Sequence, residues 1–154
     1  MKSNPQRAPR PLNAKDIQRG VLKRLAKYED LNFFEQYAMF MGMSQLLEGN
    51  LKRLLARRSR HTLDATSRWT LGTVARELES SGLRNDFVFL LKSVVTYRNH
   101  IAHELLANEF KLAQLLGGKT GRLERRNLEK GIYELEQLMF FHDWTEKHNA
   151  WAQP

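Results

Sequence analysis

The stretch Phe87-Val88-Phe89-Leu90-Leu91-Lys92-Ser93-Val94-Val95-Thr96-Tyr97-Arg98-Asn99-His100-Ile101-Ala102-His103 decides how this chain is read. Its apolar residues predict a buried helix that starts at Asn85 or Asp86 and runs to about Leu106, with Phe87 to Leu91, Val94 and Val95 inside. At its C-terminal end stand an arginine, an amide and two histidines, groups that are costly to desolvate without partners. Chemically they offer a permanent cation that forks onto phosphate and an imidazole that exchanges protons near neutral pH. Those are parts of a metal-free site for phosphodiester cleavage.

Outward from this helix, proline divides the chain. Pro5, Pro9 and Pro11 lie in the first eleven residues, and residues 12–153 contain none. Proline is excluded from helix interiors by its ring and missing N–H, so that run favours an all-helical body, and no segment alternates as a strand would. Asn13 predicts an N-cap for a helix to about Tyr28, and Asn32-x-x-Glu35 a capping box for a longer one ending at Arg57-Arg58-Ser59-Arg60. Residues 61–68 read as a polar connection. A short helix from Thr70 to about Glu79 is closed by Ser80-Ser81-Gly82. After the motif helix, an apolar pattern runs through Leu112, Leu115 and Leu116 into Gly117-Gly118, and a last helix spans about Gly121 to Glu146. The expected fold is all-α, an antiparallel bundle of four or five helices. Leu47, Leu51, Leu90, Leu91, Val94, Ile132 and Leu135 are expected in its core. A flexible basic tail occupies residues 1–12, the single domain 13–147, and a second tail 148–154.

The net charge is +8. Residues 1–27 carry eight Lys and Arg against Asp16 alone, and Lys52, Arg53, Arg57, Arg58 and Arg60 form a second cluster. This balance suits a polyanion, RNA first, with Arg7, Arg10, Lys15, Arg19, Arg57, Arg58 and Arg60 as the expected contacts. With no cysteine, disulfides and thiolate metal sites are excluded, which fits cytoplasm. No apolar run approaches the roughly 18 residues of a membrane span, and no apolar region follows the basic N-terminus as in a secretory signal.

Arg98-Asn99, three intervening residues and His103, followed by Glu104, resemble the R-N-x-x-x-H signature of HEPN domains, small helical bundles that include RNA-cleaving toxins and defence ribonucleases. The Ile101-Ala102 pair, and Leu71-Gly72 opening a short helix upstream, also fit. The resemblance spans about residues 30–145 and, outside the motif, is one of pattern. It implies an endoribonuclease with Arg98, Asn99 and His103 as catalytic residues, His100 and Glu104 in support, and no cofactor. It also implies a homodimer, a toxin or antiphage role, and an antitoxin or regulatory protein as a possible partner. The alternative within the same family is a non-catalytic module that binds a protein, nucleotide or RNA. A helical DNA-binding protein is a weaker reading, because no helix-turn-helix is visible.

On an ideal helix of about 100° per residue, Asn99 and His103 are roughly 40° apart, whereas Arg98 and His103 are roughly 140° apart. One protomer therefore does not aim all three at a point, but two motifs facing across a twofold axis do. The bland alternative makes Arg98 and Asn99 bundle cross-links and His103 a core histidine. His100-x-x-His103-Glu104 also has metal-ligand spacing, but lacks further ligands at convincing positions, so no metal is expected. Gly117-Gly118-Lys119-Thr120 imitates the end of a phosphate-binding loop, but Ala113 stands where its first glycine belongs. Trp69 and Trp144 suit packing, and Trp151 lies in the expected C-terminal tail.

Overall fold

Asn13 opens the first helix as expected: its side chain accepts from the Asp16 N–H at 2.8 Å and α1 runs Ala14–Leu25, tightening into a 3-10 turn over Ala26–Tyr28. The computed structural model describes residues 10–108, 110–111 and 122–152. Asn32 caps α2, Phe33–Arg58, with the reciprocal Glu35 bond of a capping box. A four-residue helix, α3 (Leu63–Thr66), capped by Thr62, lies in the segment read as a polar connection. The cap was legible there, but four residues are too few to show a period. Helix α4 covers Leu71–Ser80 and ends at Gly82, whose φ of +78° suits glycine. Helix α5 covers Asn85–His100 and passes into a π turn, Ile101–Leu105. The last helix, α6, covers Arg122–His148. Among the described residues there is no strand, so the fold is all-α. No helix among them is long and apolar enough to cross a membrane.

Side-chain contacts give the directions. Helix α6 runs against α1, where Gly20 meets Phe140, and against α5, where Phe87 meets Phe141 and Tyr97 meets Gly131. It runs with α2: Phe40 lies beside Gly131 and Arg57 beside Glu146. The long helices thus alternate in direction along the chain. Leu47, Leu51, Leu91, Val94, Ile132 and Leu135 are buried as expected, while Leu90 is half-buried at the edge.

Phe89 corrects the reading of its segment, since it is 79 % exposed. Five successive residues span more than a full helical turn, so one of them must face outward. The boundary expected at residue 147 also moves. Trp151 is 2 % exposed, set edge-on against Phe87, with its indole N–H donating to Glu146 and its carbonyl accepting from the Arg84 N–H. Its sequence surroundings are polar, and the pocket that holds it is built from residues distant in sequence. The expectations for residues 1–9 and for 112–121, including Arg7 and the Gly117-Gly118 turn, lie outside the described residues.

Helix α1 is tied to α6 through Glu136. This carboxylate is fully enclosed and receives Arg24 at 2.9 Å, Lys27 at 2.7 Å and the Tyr28 hydroxyl at 2.8 Å. A buried charge is tolerated only when paired and hydrogen-bonded, and here both oxygens are engaged. Burial, then the Glu136 hydrogen bond, pushes the Tyr28 phenol far above its ordinary range.

Candidate functional site

The motif sits where α5 gives way to the π turn. Such i→i+5 turns are rare, occur singly within helices, and are frequent at functional sites. Ile101 and Leu105 are buried and anchor the turn inward, which leaves His103 and Glu104 exposed on its outer side. Gly131 makes room for this joint. A Cβ there would stand 2.6 Å from Ile101 Cδ1 and 3.4 Å from both Phe40 and Tyr97.

Arg98 is half-buried, Asn99 exposed, and Arg98 Nη1 lies 3.5 Å from Asn99 Oδ1. The motif is at the surface rather than sealed in the core: Asn99 is turned about 80–140° around α5 from the buried Leu91 and Val94, whereas Arg98 follows them at i+7 and i+4 on the same face and is half-buried. Among the described residues His103 makes no hydrogen bond to Arg98 or Asn99. An i→i+5 turn advances less per residue than an α-helix, so the angle of roughly 140° between Arg98 and His103 narrows without closing.

His100 faces away from this group. Its Nδ1 lies 3.2 Å from Glu104, and its Nε2 lies 3.3 Å from Asn127 Nδ2 and 3.6 Å from Glu124 Oε2. Glu124 is 3 % exposed; its Oε1 accepts from Asn108 at 3.2 Å, while its buried Oε2 has no hydrogen-bond partner. Among the described residues no three His, Asp or Glu side chains converge as metal ligands. The two ring nitrogens of His100 point at different carboxylates instead.

Most of the expected RNA contacts do not lie near the motif. Arg57 forks onto Glu146 at 2.6 and 2.9 Å, and this bond holds Glu146 below the usual carboxylate range and raises Arg57. Arg58 and Arg60 are exposed beside it. Glu146 and Glu124 are separated by roughly 33 Å along α6 at 1.5 Å per residue. Lys15 and Arg19, near the start of α1, face the same far half of α6 and are exposed, as is Arg10.

The motif end carries other exposed cations: Arg122, Arg125, Arg126 and Lys130 in the first turns of α6. Arg126 and Lys130 share a helix face, and Lys130 lies one turn from Asn127. The signal for them was present in the sequence, because cations near a helix N-terminus oppose its dipole. Glu124 had a signal too, as a carboxylate on the stripe of Leu128, Gly131 and Leu135.

A groove of about 770 Å³ lined by Leu12, Phe89, Leu90, Phe141 and Trp144 lies at the far end of α5. Phe89 is roughly 21 Å along the helix from His103, so the groove and the motif are separate features. Trp69 is half-buried, edge-on to His61. No family model, curated protein or solved structure matches the chain.

Proposed function

We propose that this protein is a HEPN-like endoribonuclease that cleaves RNA without a metal ion, at a composite site formed by two copies. The observation that carries the reading is the motif itself: Arg98, Asn99 and His103 are all present, and Asn99 and His103 stand exposed at a π turn. A core histidine with bundle cross-links would be buried. An exposed, cationic, incomplete set of groups fits a second motif across a twofold axis.

In the reaction, a neutral His103 accepts the proton of a ribose 2′-OH as its oxygen attacks the adjacent phosphorus. The 2′,3′-cyclic phosphate forms, the bond to the 5′-oxygen breaks, and a second, protonated imidazole donates a proton to that leaving oxygen. In the composite site that imidazole is the His103 of the other copy, and histidine's ability to exchange protons near neutral pH suits both roles. Arg98 neutralises charge as it builds on the phosphoryl oxygens, and Asn99, beside the guanidinium, orients it. Arg122, Arg125, Arg126 and Lys130 supply phosphate contacts on the motif end, which position the RNA without reading its bases. A toxin or antiphage role in the cytoplasm, held in check by an antitoxin or other regulatory protein, completes the proposal.

The test is incubation of purified protein with mixed cellular RNA, with and without EDTA, beside His103→Ala. Cleavage that survives EDTA, leaves cyclic phosphate ends and disappears in the variant supports the reading. Specific RNA binding without cleavage would move the protein to the non-catalytic class.

A further inference from the structure

The motif end contains a second set of groups that the reaction above does not use. Glu124 is enclosed, and one of its oxygens is the buried side-chain atom without a hydrogen-bond partner among the described residues. Leaving such an atom unsatisfied is costly, the more so when it carries charge. The nearest positive-capable atom is His100 Nε2, at 3.6 Å. The groups facing the His100 ring are Glu104 from its own turn and Glu124 and Asn127 from α6. Asn108, just past the turn, holds the other oxygen of Glu124.

A neutral imidazole has one N–H, so it serves one carboxylate and turns a lone pair toward the other. With protons on both nitrogens, Nδ1–H faces Glu104 and Nε2–H faces Glu124, and the Asn127 amide, whose nitrogen otherwise donates to the Nε2 lone pair at 3.3 Å, turns its oxygen to that N–H. Small closure of the 3.6 Å gap then satisfies the orphaned oxygen. His100 precedes the π turn, Glu104 lies within it and Asn108 follows it, so this one arrangement clasps the turn from both sides onto α6.

We propose that Glu124 is a positioning residue: acting through His100, it clamps the π turn to α6 and thereby sets where His103 is presented. The inference rests on the ribonuclease reading for its consequence, but the clamp itself has a separate readout. Glu124→Gln keeps the size and one acceptor of the side chain and removes its charge, and the neutral amide so introduced can donate to the His100 lone pair.

The experiment uses the full chain. Imidazole resonances of His100 and His103 are followed by NMR against pH in wild type and Glu124→Gln, with amide exchange over residues 101–105. The expected result is displaced His100 ring resonances in the variant and faster exchange through the turn. In parallel, kcat for RNA falls about 10–100-fold, the scale set by a misplaced catalytic group, with KM unchanged and an altered pH profile. Asn108→Ala, which frees Glu124 without removing charge, should loosen the same amides and serves if the first variant fails to fold. Unchanged His100 resonances together with unchanged exchange overturn the clamp. These two changes in a protein that never cleaves RNA overturn the ribonuclease reading and leave the clamp standing. Metal-dependent shifts of both His100 and Glu124 on adding zinc alone would replace the clamp with a cation site.

Discussion

Gly131→Ala is a sharp probe of how the motif is seated. Alanine is the better helix former by about 1 kcal/mol, so an open site would be stabilised. Here the new Cβ would lie 2.6 Å from Ile101 Cδ1 and 3.4 Å from Phe40 Cε2 and Tyr97 Cβ. Carbon atoms prefer about 3.5–4.0 Å, so the Ile101 contact is short by roughly 1 Å. Ile101 is fully enclosed, and its methyl cannot swing into open space. Overpacking of this kind costs about 1–3 kcal/mol. Set against the propensity gain, the expected net loss is up to about 2 kcal/mol, or up to roughly 8 °C in Tm at this size. Ile101→Val removes the offending methyl and alone costs about 0.5–1.5 kcal/mol. In the double variant the alanine methyl fills the space vacated, so the double should be more stable than the sum of the singles by about 1 kcal/mol. Urea and thermal unfolding of the four proteins measure this cycle. Additivity within about 0.5 kcal/mol, or stabilisation by the single glycine replacement, would refute the proposed seating of the turn.

Glu136→Gln should cost about 3 kcal/mol in urea unfolding, the low end for breaking a buried ion pair because Arg24 and Lys27 keep some water contact. The Tyr28 phenol, raised in the fold, contributes stability that is complete below its ordinary pKa near 10 and declines above it. Tm should therefore fall above about pH 10 more steeply in wild type than in Tyr28→Phe, and parallel curves would contradict the assignment. Trp151→Ala should lower stability by about 3 kcal/mol, as expected for emptying a buried aromatic site; a Tm unchanged within error would show that the residue is not part of the core. RNA affinity should fall steeply with salt, and Arg126→Ala with Lys130→Ala should flatten that slope more than Arg58→Ala with Arg60→Ala; the reverse order would place the RNA on the far end of the bundle. Arg98→Ala should abolish cleavage as His103→Ala does, each by about 10²–10⁴-fold for a lost charge or proton-transfer group, and equal activity in either variant would separate the motif from the chemistry.

Local signals carried most of the fold into the sequence. Asn13 and Asn32 cap the helices they were expected to cap, because an N-cap bond spans only three residues, and Thr70, read as the start of α4, is its N-cap. Gly82 closes α4 for an equally local reason. What escaped depends on partners far along the chain. Trp151 looked like tail because its pocket comes from Phe87 and His142. Glu124 and Asn127 entered the candidate site only when α6 was laid beside α5. The motif residues were plain, but their exposure was not, since it depends on which side of α5 the other helices cover. The π turn has no cap or period of its own to announce it.

The Arg84 N–H at the head of α5 bonds to the carbonyl of Trp151, and Arg84 Nη1 to that of Ala150. The helix that carries the motif is thus completed at its start by residues that follow α6. During synthesis α5 emerges long before those carbonyls exist, and domains tend to fold as units. The motif is accordingly seated late: a nascent chain that has made Arg98, Asn99 and His103 still lacks both Gly131 to receive Ile101 and Trp151 to close the head of the helix. On the proposed ribonuclease reading, any cleavage of RNA would be acquired only when the whole of α6 has been made.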